Sequence, residues 1–214
     1  MDQHQKAWNA RVAEQVIAGL RKRNMDGSFA ATAAQAKDAV LAMIPGAASV
    51  YRAGSMTSVA LDLWPAIAQL PEVRVIDPYR ADLTPEEGLA ARRAGLTADI
   101  MITSSNAITL DGQLVNLDGL GNRVAAMMFG PAKVIVVVGM NKLSADLATA
   151  KARVRHRAAP VNATRLNVAT PCVATGLCSD CSSPQRICNM WGIIERQALP
   201  GRIHVLLVGE SLGY

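Results

Sequence analysis

Aromatic side chains are scarce in this sequence, with two Phe, three Trp and three Tyr among 214 residues. Alanine accounts for 36 positions, so the interior has to be built from small aliphatic side chains, which suits helices packed closely on a sheet. Long apolar runs are absent as well. The longest strong one, Val134-Ile135-Val136-Val137-Val138, has a strand's length and falls far short of the roughly 18–20 residues a membrane span requires. No membrane insertion is expected. The opening residues Met1 to Lys6 hold no apolar stretch of the signal-peptide kind, which points to the cytoplasm. The histidines His4, His156 and His204 share no ligand-like spacing, so no histidine-centred catalytic arrangement is visible.

A strong charge bias is also missing until the chain is divided. Residues 1–150 carry 14 Lys/Arg against 14 Asp/Glu, whereas residues 151–214 carry eight against three, which is the whole net charge of +5. Every cysteine lies in that same C-terminal part.

The order of elements is legible from periodicity and stop signals. Trp8, Val12, Val16, Ile17 and Leu20 recur at helical spacing, and Arg21 to Arg23 place positive charge at the negative end of the dipole, predicting a helix over 5–23. Asp26-Gly27-Ser28 reads as a polar turn. A helix follows from the N-cap Thr32 to Ile44, then a short strand at Ser49 to Arg52, a helix after Gly54-Ser55-Met56-Thr57, and a strand at Val73 to Ile76. Thr84-Pro85-Glu86-Glu87 forms a capping box with proline at the first helical position. Asp99 to Thr103 is strand-like, and Ala107 to Val115 folds about Asp111-Gly112, a dipeptide suited to a tight hairpin turn. A helix over 121–128, a buried strand at 134–138, a helix over 144–157 and a last strand at 203–208 complete the series, while Pro160 to Asn189 lacks a clear period. Strands separated by helical stretches predict an α/β fold with a largely parallel sheet flanked by helices.

Cys172, Cys178, Cys181 and Cys188 fall within 17 residues with the spacing C-x5-C-x2-C-x6-C. In a reducing cytosol disulfides are disfavoured, so shared coordination of one metal centre is the stronger reading. Four thiolates suit an iron–sulfur cluster or tetrahedral zinc. Only one short C-x2-C knuckle is present, and the x5 and x6 gaps resemble a loop wrapped around a bulkier cluster, so an iron–sulfur cluster is the first expectation and zinc the alternative. Arg186 could offset the charge of the thiolates. The competing account is four free thiols in a cysteine-rich loop.

A second group of polar residues occupies the loops. Ligands of open α/β sheets bind beyond the carboxyl ends of the strands, where Gly54-Ser55 and Gly139-Met140-Asn141-Lys142 stand. With Asn106, Asn116, Asp118, Asn122 and Arg123 they form the candidate ligand site, Arg123 and Lys142 supplying charge for a small anion. Asn and Gly also build ordinary turns, which accounts for part of this set. The basic run Lys151, Arg153, Arg155, His156 and Arg157 has no interleaved aromatic residue, so it reads as a solvated helix face or protein-docking surface, with no nucleic acid expected.

The succession Ala107-Ile108-Thr109 with Asp111-Gly112, Val115-Asn116-Leu117-Asp118-Gly119, Gly121-Asn122-Arg123-Val124, Phe129-Gly130-Pro131 and Val138-Gly139-Met140-Asn141-Lys142 resembles the core of the LUD domain family, named for lactate utilisation. The resemblance covers roughly Lys6 to Tyr214 and implies one domain over 1–214, with a cysteine-rich loop over 171–189. It also implies a fold similar to the ribose-5-phosphate isomerase, glucosamine-6-phosphate deaminase and CoA-transferase superfamily. The implied role is an accessory or electron-transfer component in oxidation of lactate or a related 2-hydroxy acid, like lactate-utilisation protein C beside iron–sulfur partner subunits. Two alternatives stand beside it: an enzyme acting on a phosphosugar or CoA ester, and a non-catalytic binding module with a structural metal. Family members acting in lactate oxidation need not contain this cysteine segment, whereas a cysteine-bearing branch of short, stand-alone members is similar to this chain.

Overall fold

Val134 to Val138 are all fully buried because their strand runs through the middle of a sheet covered on both faces. The computed structural model describes residues 2–214. In chain order the elements are α1 (Gln3–Lys22), β1 (Asp26–Ala30), α2 (Ala33–Ala42), β2 (Ser49–Arg52), α3 (Met56–Ala60), α4 (Leu63–Ile67), β3 (Arg74–Ile76) and α5 (Pro85–Ala94). Then follow β4 (Ile100–Thr103), β5 (Ala107–Thr109), β6 (Leu114–Asp118), α6 (Asn122–Phe129), β7 (Lys133–Gly139), β8 (Leu143–Ser144) and α7 (Leu147–Arg153). The chain ends with α8 (Ala159–Leu166), α9 (Pro171–Thr175), β9 (Met190–Ile194) and β10 (Ile203–Val208).

Six strands form a parallel sheet in the order β1-β10-β7-β4-β2-β3. The twofold period of a strand splits its side chains between two cores. Val134, Val136, Val138, Val205 and Leu207 meet Ala13, Val16 and Leu20 of α1 and Met127 of α6 on one face. Ile135, Val137, Leu206 and Val208 meet Ala36 and Val40 of α2 and Leu63, Trp64 and Ile67 of α4 on the other. The expected α/β class with a parallel sheet between helices is the one observed.

Local signals hold where they are strong. Thr84 and Glu87 make the reciprocal capping box, Thr32 caps α2, and Gly112 turns the β5–β6 hairpin with φ of 92°. Helix α1 starts before the expected residue 5 because the Asp2 carboxylate accepts from the amides of His4 and Gln5.

Three expectations are corrected. The polar turn at Asp26-Gly27-Ser28 is instead strand β1, recruited in parallel by β10, and His204 faces β1, sharing a 2.7 Å hydrogen bond with Ser28 Oγ. A second sheet, in the order β8-β5-β6-β9, adds two strands whose sequences are too short or too interrupted to show a period. The helix over 144–157 is α7, a π-helical turn at Val154–Ala158, and α8 running on to Leu166. Pro160 follows that turn, where the usual i→i+4 ladder is already interrupted.

Candidate functional site

All six strands of the large sheet point the same way, so the loops after them collect at one edge. The loops after β2, β3, β4 and β7, with the segment after β6 and one side of α8, wall a cavity of about 430 Å³. Gly54, Ser55, Asn106, Asp118, Asn122, Arg123 and Lys142 all line it. Asn116 stands behind the wall and accepts from Arg123 Nη1 at 2.9 Å. The lining is electropositive: Arg52, Arg92, Arg123, Lys142 and Arg165 stand there with Asp118, the one acidic side chain among the described lining residues.

Arg123 is the brace of this edge. Its Nε and Nη2 donate to Asp118 Oδ1 at 2.9 and 2.6 Å, Nη1 to Ser104 O and Asn116 Oδ1 at 3.0 and 2.9 Å, and Nη2 to Asn106 Oδ1 at 2.7 Å. The other Asp118 oxygen accepts from Val124 N at 2.9 Å in the first turn of α6, where a negative charge is favoured. The fork of the guanidinium is thus consumed by the protein, tying the ends of β4 and β6 to α6. Arg123 contributes charge and shape to the cavity, with its donors already engaged.

Lys142 differs. It is 3% exposed, and its Nζ donates to Thr57 Oγ1 at 2.7 Å and Ser104 Oγ at 2.8 Å. No carboxylate pairs with it among the described residues. Burial, and then the nearby cations Arg153 and Arg123, push its pKa down to about 7. Arg153 is fixed behind it by hydrogen bonds to Asn141 O at 3.1 Å and Asn106 O at 2.6 Å, and burial lowers its own pKa to about 10.

Several cavity residues escape sequence reasoning. Arg52 pairs with Asp77 at 2.8 Å and lies over the rings of Trp64 and Tyr79, while Arg92 lies over the Tyr79 ring at 5.2 Å from its centroid and has no carboxylate partner among the described residues. Arg52 and Ser104 occupy strand ends, the same signal that singles out Gly54 and Lys142; Arg92 and Arg165 sit on helices with nothing to mark them. Gly54 leaves room for the Tyr79 phenol, whose oxygen lies 2.6 Å from where a Cβ would stand. Two members of the basic run, Arg153 and Arg155, are likewise structural pins, Arg155 binding Asp180 at 2.8 Å and lying over Trp191.

Cys172, Cys178, Cys181 and Cys188 are half-buried free thiols that line one small cavity of about 20 Å³. That volume is about enough for one atom-sized guest. Among the described residues no three Cys, His, Asp or Glu side chains converge as a ready ligand set. The loop is held by Arg186, which donates to the carbonyls of Cys181 and Cys188 and, at 2.8 Å, to Asp180. Burial pushes the Cys188 thiol up, against the pull of Arg186 and Arg155. Ile187 borders this cavity and the strand-end cavity alike, and Asn189 N donates to Asp118 O at 2.8 Å, so the two sites share a wall.

The family model described as LUD domain matches residues 13–208. A DUF162 family protein from Deinococcus radiodurans shares the fold, with a TM-score of 0.52 and 13% identity over 94% of this chain and 98% of that one. Ribose 5-phosphate isomerase from Plasmodium falciparum matches 51% of each chain at 19% identity and a TM-score of 0.35. Ribose 5-phosphate isomerase A from Methanocaldococcus jannaschii matches 54% of each at 18% and 0.36. A search of curated proteins finds no match to the sequence.

Proposed function

The chain belongs to the LUD domain family, associated with lactate utilisation proteins, and on that premise we propose that its strand-end cavity binds a small organic anion. The first candidate ligands are lactate, its oxidation product pyruvate and related hydroxy acids. Sugar phosphates and CoA esters form the second class. The observation that carries the reading is the lining charge, four guanidinium groups from Arg52, Arg92, Arg123 and Arg165 against the acidic side chain of Asp118. Arg92 and Arg165 keep guanidinium groups without a carboxylate partner among the described residues, in the position to meet a carboxylate or phosphate.

Within this reading the protein is an accessory or electron-transfer component of hydroxy-acid oxidation, and the four cysteines hold a metal centre beside the ligand. The donor set supports the proposal: four soft sulfurs border one cavity, and Arg155 and Arg186, both paired with Asp180, line it beside them. The volume near 20 Å³ is of the size of a single ion such as zinc, for which the thiols have to draw together, whereas an iron–sulfur cluster requires the loop to widen. An iron–sulfur centre there supplies one-electron transfer; zinc supplies cross-linking of the loop.

Calorimetry with lactate, pyruvate, glyceraldehyde 3-phosphate and acetyl-CoA tests the anion site. One saturable site is expected for at least one of them, and Arg92→Ala is expected to weaken it about tenfold, the loss of one charge-assisted contact. If none binds, the proposal fails.

A further inference from the structure

We infer that the Lys142 amine is the reacting group of the strand-end cavity, forming a reversible imine with the carbonyl carbon of a small anionic aldehyde or ketone. The inference rests on the anion-binding reading of the cavity and adds the chemistry of its floor.

Thr57 Oγ1 has two acceptors in reach, Leu212 O and Ser104 Oγ, each at 3.3 Å, and Ser104 Oγ has Ser105 O at 3.2 Å. With acceptors elsewhere for their protons, both oxygens have lone pairs to turn toward Lys142 Nζ and accept two of its hydrogens. A tetrahedral nitrogen has one more direction. No acceptor among the described residues takes it, and the side chain borders the cavity. In the neutral amine that direction holds the lone pair.

Burial first, and the surrounding cations second, set the protonation state. Arg123 on α6 and Arg153 on α7 are the cations that face the amine, and Asp118, the one carboxylate on the cavity wall, is committed to Arg123 and to the Val124 amide. A lysine desolvated beside other cations is poorly suited to hold an anion and well suited to attack a carbonyl. The two tasks are divided in space: Arg92 and Arg165 meet the anionic end of a ligand, and Lys142 meets its carbonyl.

The step balances without an oxidant or reductant. The Nζ lone pair forms the C–N bond while the carbonyl π pair moves to oxygen, and an amine proton passes to that oxygen to give a carbinolamine. The nitrogen pair then forms C=N as the C–O bond breaks, and the oxygen leaves as water with the second amine proton. Ser104 Oγ, beside Nζ, is placed to carry those protons.

The test is reductive trapping on the full chain. Pyruvate or glyceraldehyde 3-phosphate is added with sodium cyanoborohydride, and the digested protein is read by mass spectrometry. A single reduced adduct on Lys142 is expected, exceeding that on any other lysine by about tenfold, its yield also rising about tenfold from pH 6 to pH 8 as the amine loses its proton. Ser104→Ala, which keeps the amine, is expected to slow trapping several-fold. An adduct absent with both probes, or spread over Lys6, Lys22, Lys37 and Lys151 as heavily as over Lys142, overturns the inference. If lactate or pyruvate binds and no adduct forms, the imine fails and the anion site stands. If nothing binds and nothing is trapped, both readings fall together.

Discussion

The strand-end cavity and the cysteine cavity meet at Ile187 and are built in opposite ways. The first draws Arg52, Arg92, Ser104, Arg123, Lys142 and Arg165 from remote parts of the chain, and the parallel sheet and its helices bring them together. Its polar groups are cross-linked to many elements, so its shape is set by the fold. The second collects four thiols from a 17-residue stretch held by Arg186, Asp180 and a few backbone hydrogen bonds. A site assembled by a sheet is preorganised before any ligand arrives, whereas a site assembled by a loop depends on its guest for part of its order.

The largest expected effect breaks the first half of that comparison. Arg123→Ala leaves Asp118 buried without its partner, at a cost of about 3–5 kcal/mol, and should lower the melting temperature by about 10 °C in a chain of this size. Arg123→Lys should recover only a minor part, because one ammonium cannot span the ends of β4, β6 and α6. A melting temperature unchanged in Arg123→Ala means the cavity edge is not braced there.

Lys142 gives the next effect, of opposite sign. Its folded pKa lies near 7 and its ordinary value at 10.5, so between those pH values the unfolded chain binds the extra proton and stability rises with pH. Below pH 7 the folded protein carries the whole cost of a buried ammonium, on the order of 5 kcal/mol. Lys142→Met is therefore expected to raise the melting temperature by several degrees at pH 6, with the gain shrinking as pH rises toward 10. A gain independent of pH contradicts the neutral-amine description.

The smallest global effect belongs to the cysteine loop. Cys178→Ser with Cys181→Ser is expected to abolish stoichiometric zinc or iron, measured after anaerobic purification, and to speed hydrogen exchange within 171–189. Exchange in the large sheet and affinity for organic anions should stay as they were. Equal exchange with and without metal, or no metal in the unaltered protein, removes the metal centre from the proposal.

How far the sequence could be read follows from the range of each interaction. Thr32, Thr84 with Glu87, and Asp111-Gly112 act on neighbours a few residues away, and each appears in the structure as expected. Strand β1 could not be read, because Asp26, Gly27 and Ser28 have no strand preference and are extended only by pairing with His204 to Val208 of β10. Strand β9 has the same cause, since Gly192 interrupts its run and β6 supplies the pairing. At the site, the strand-end rule found Gly54, Ser55 and Lys142, while Arg92 and Arg165 carry no local mark of their destination.

The sequence by itself determined the α/β succession, the buried valine strand, the grouping of the thiols and the concentration of positive charge after residue 150. These depend on composition and short-range periodicity, which need no partner. The scarcity of aromatic side chains likewise set the character of the core, with alanine and valine carrying the helix–sheet contacts. Tertiary structure alone decided that the guanidinium of Arg123 is spent on Asp118, Asn106 and Asn116, and that the Lys142 amine has no carboxylate partner among the described residues. The charge and proton affinity of a side chain are fixed by what surrounds it in space, and those surroundings come from segments far apart along the chain.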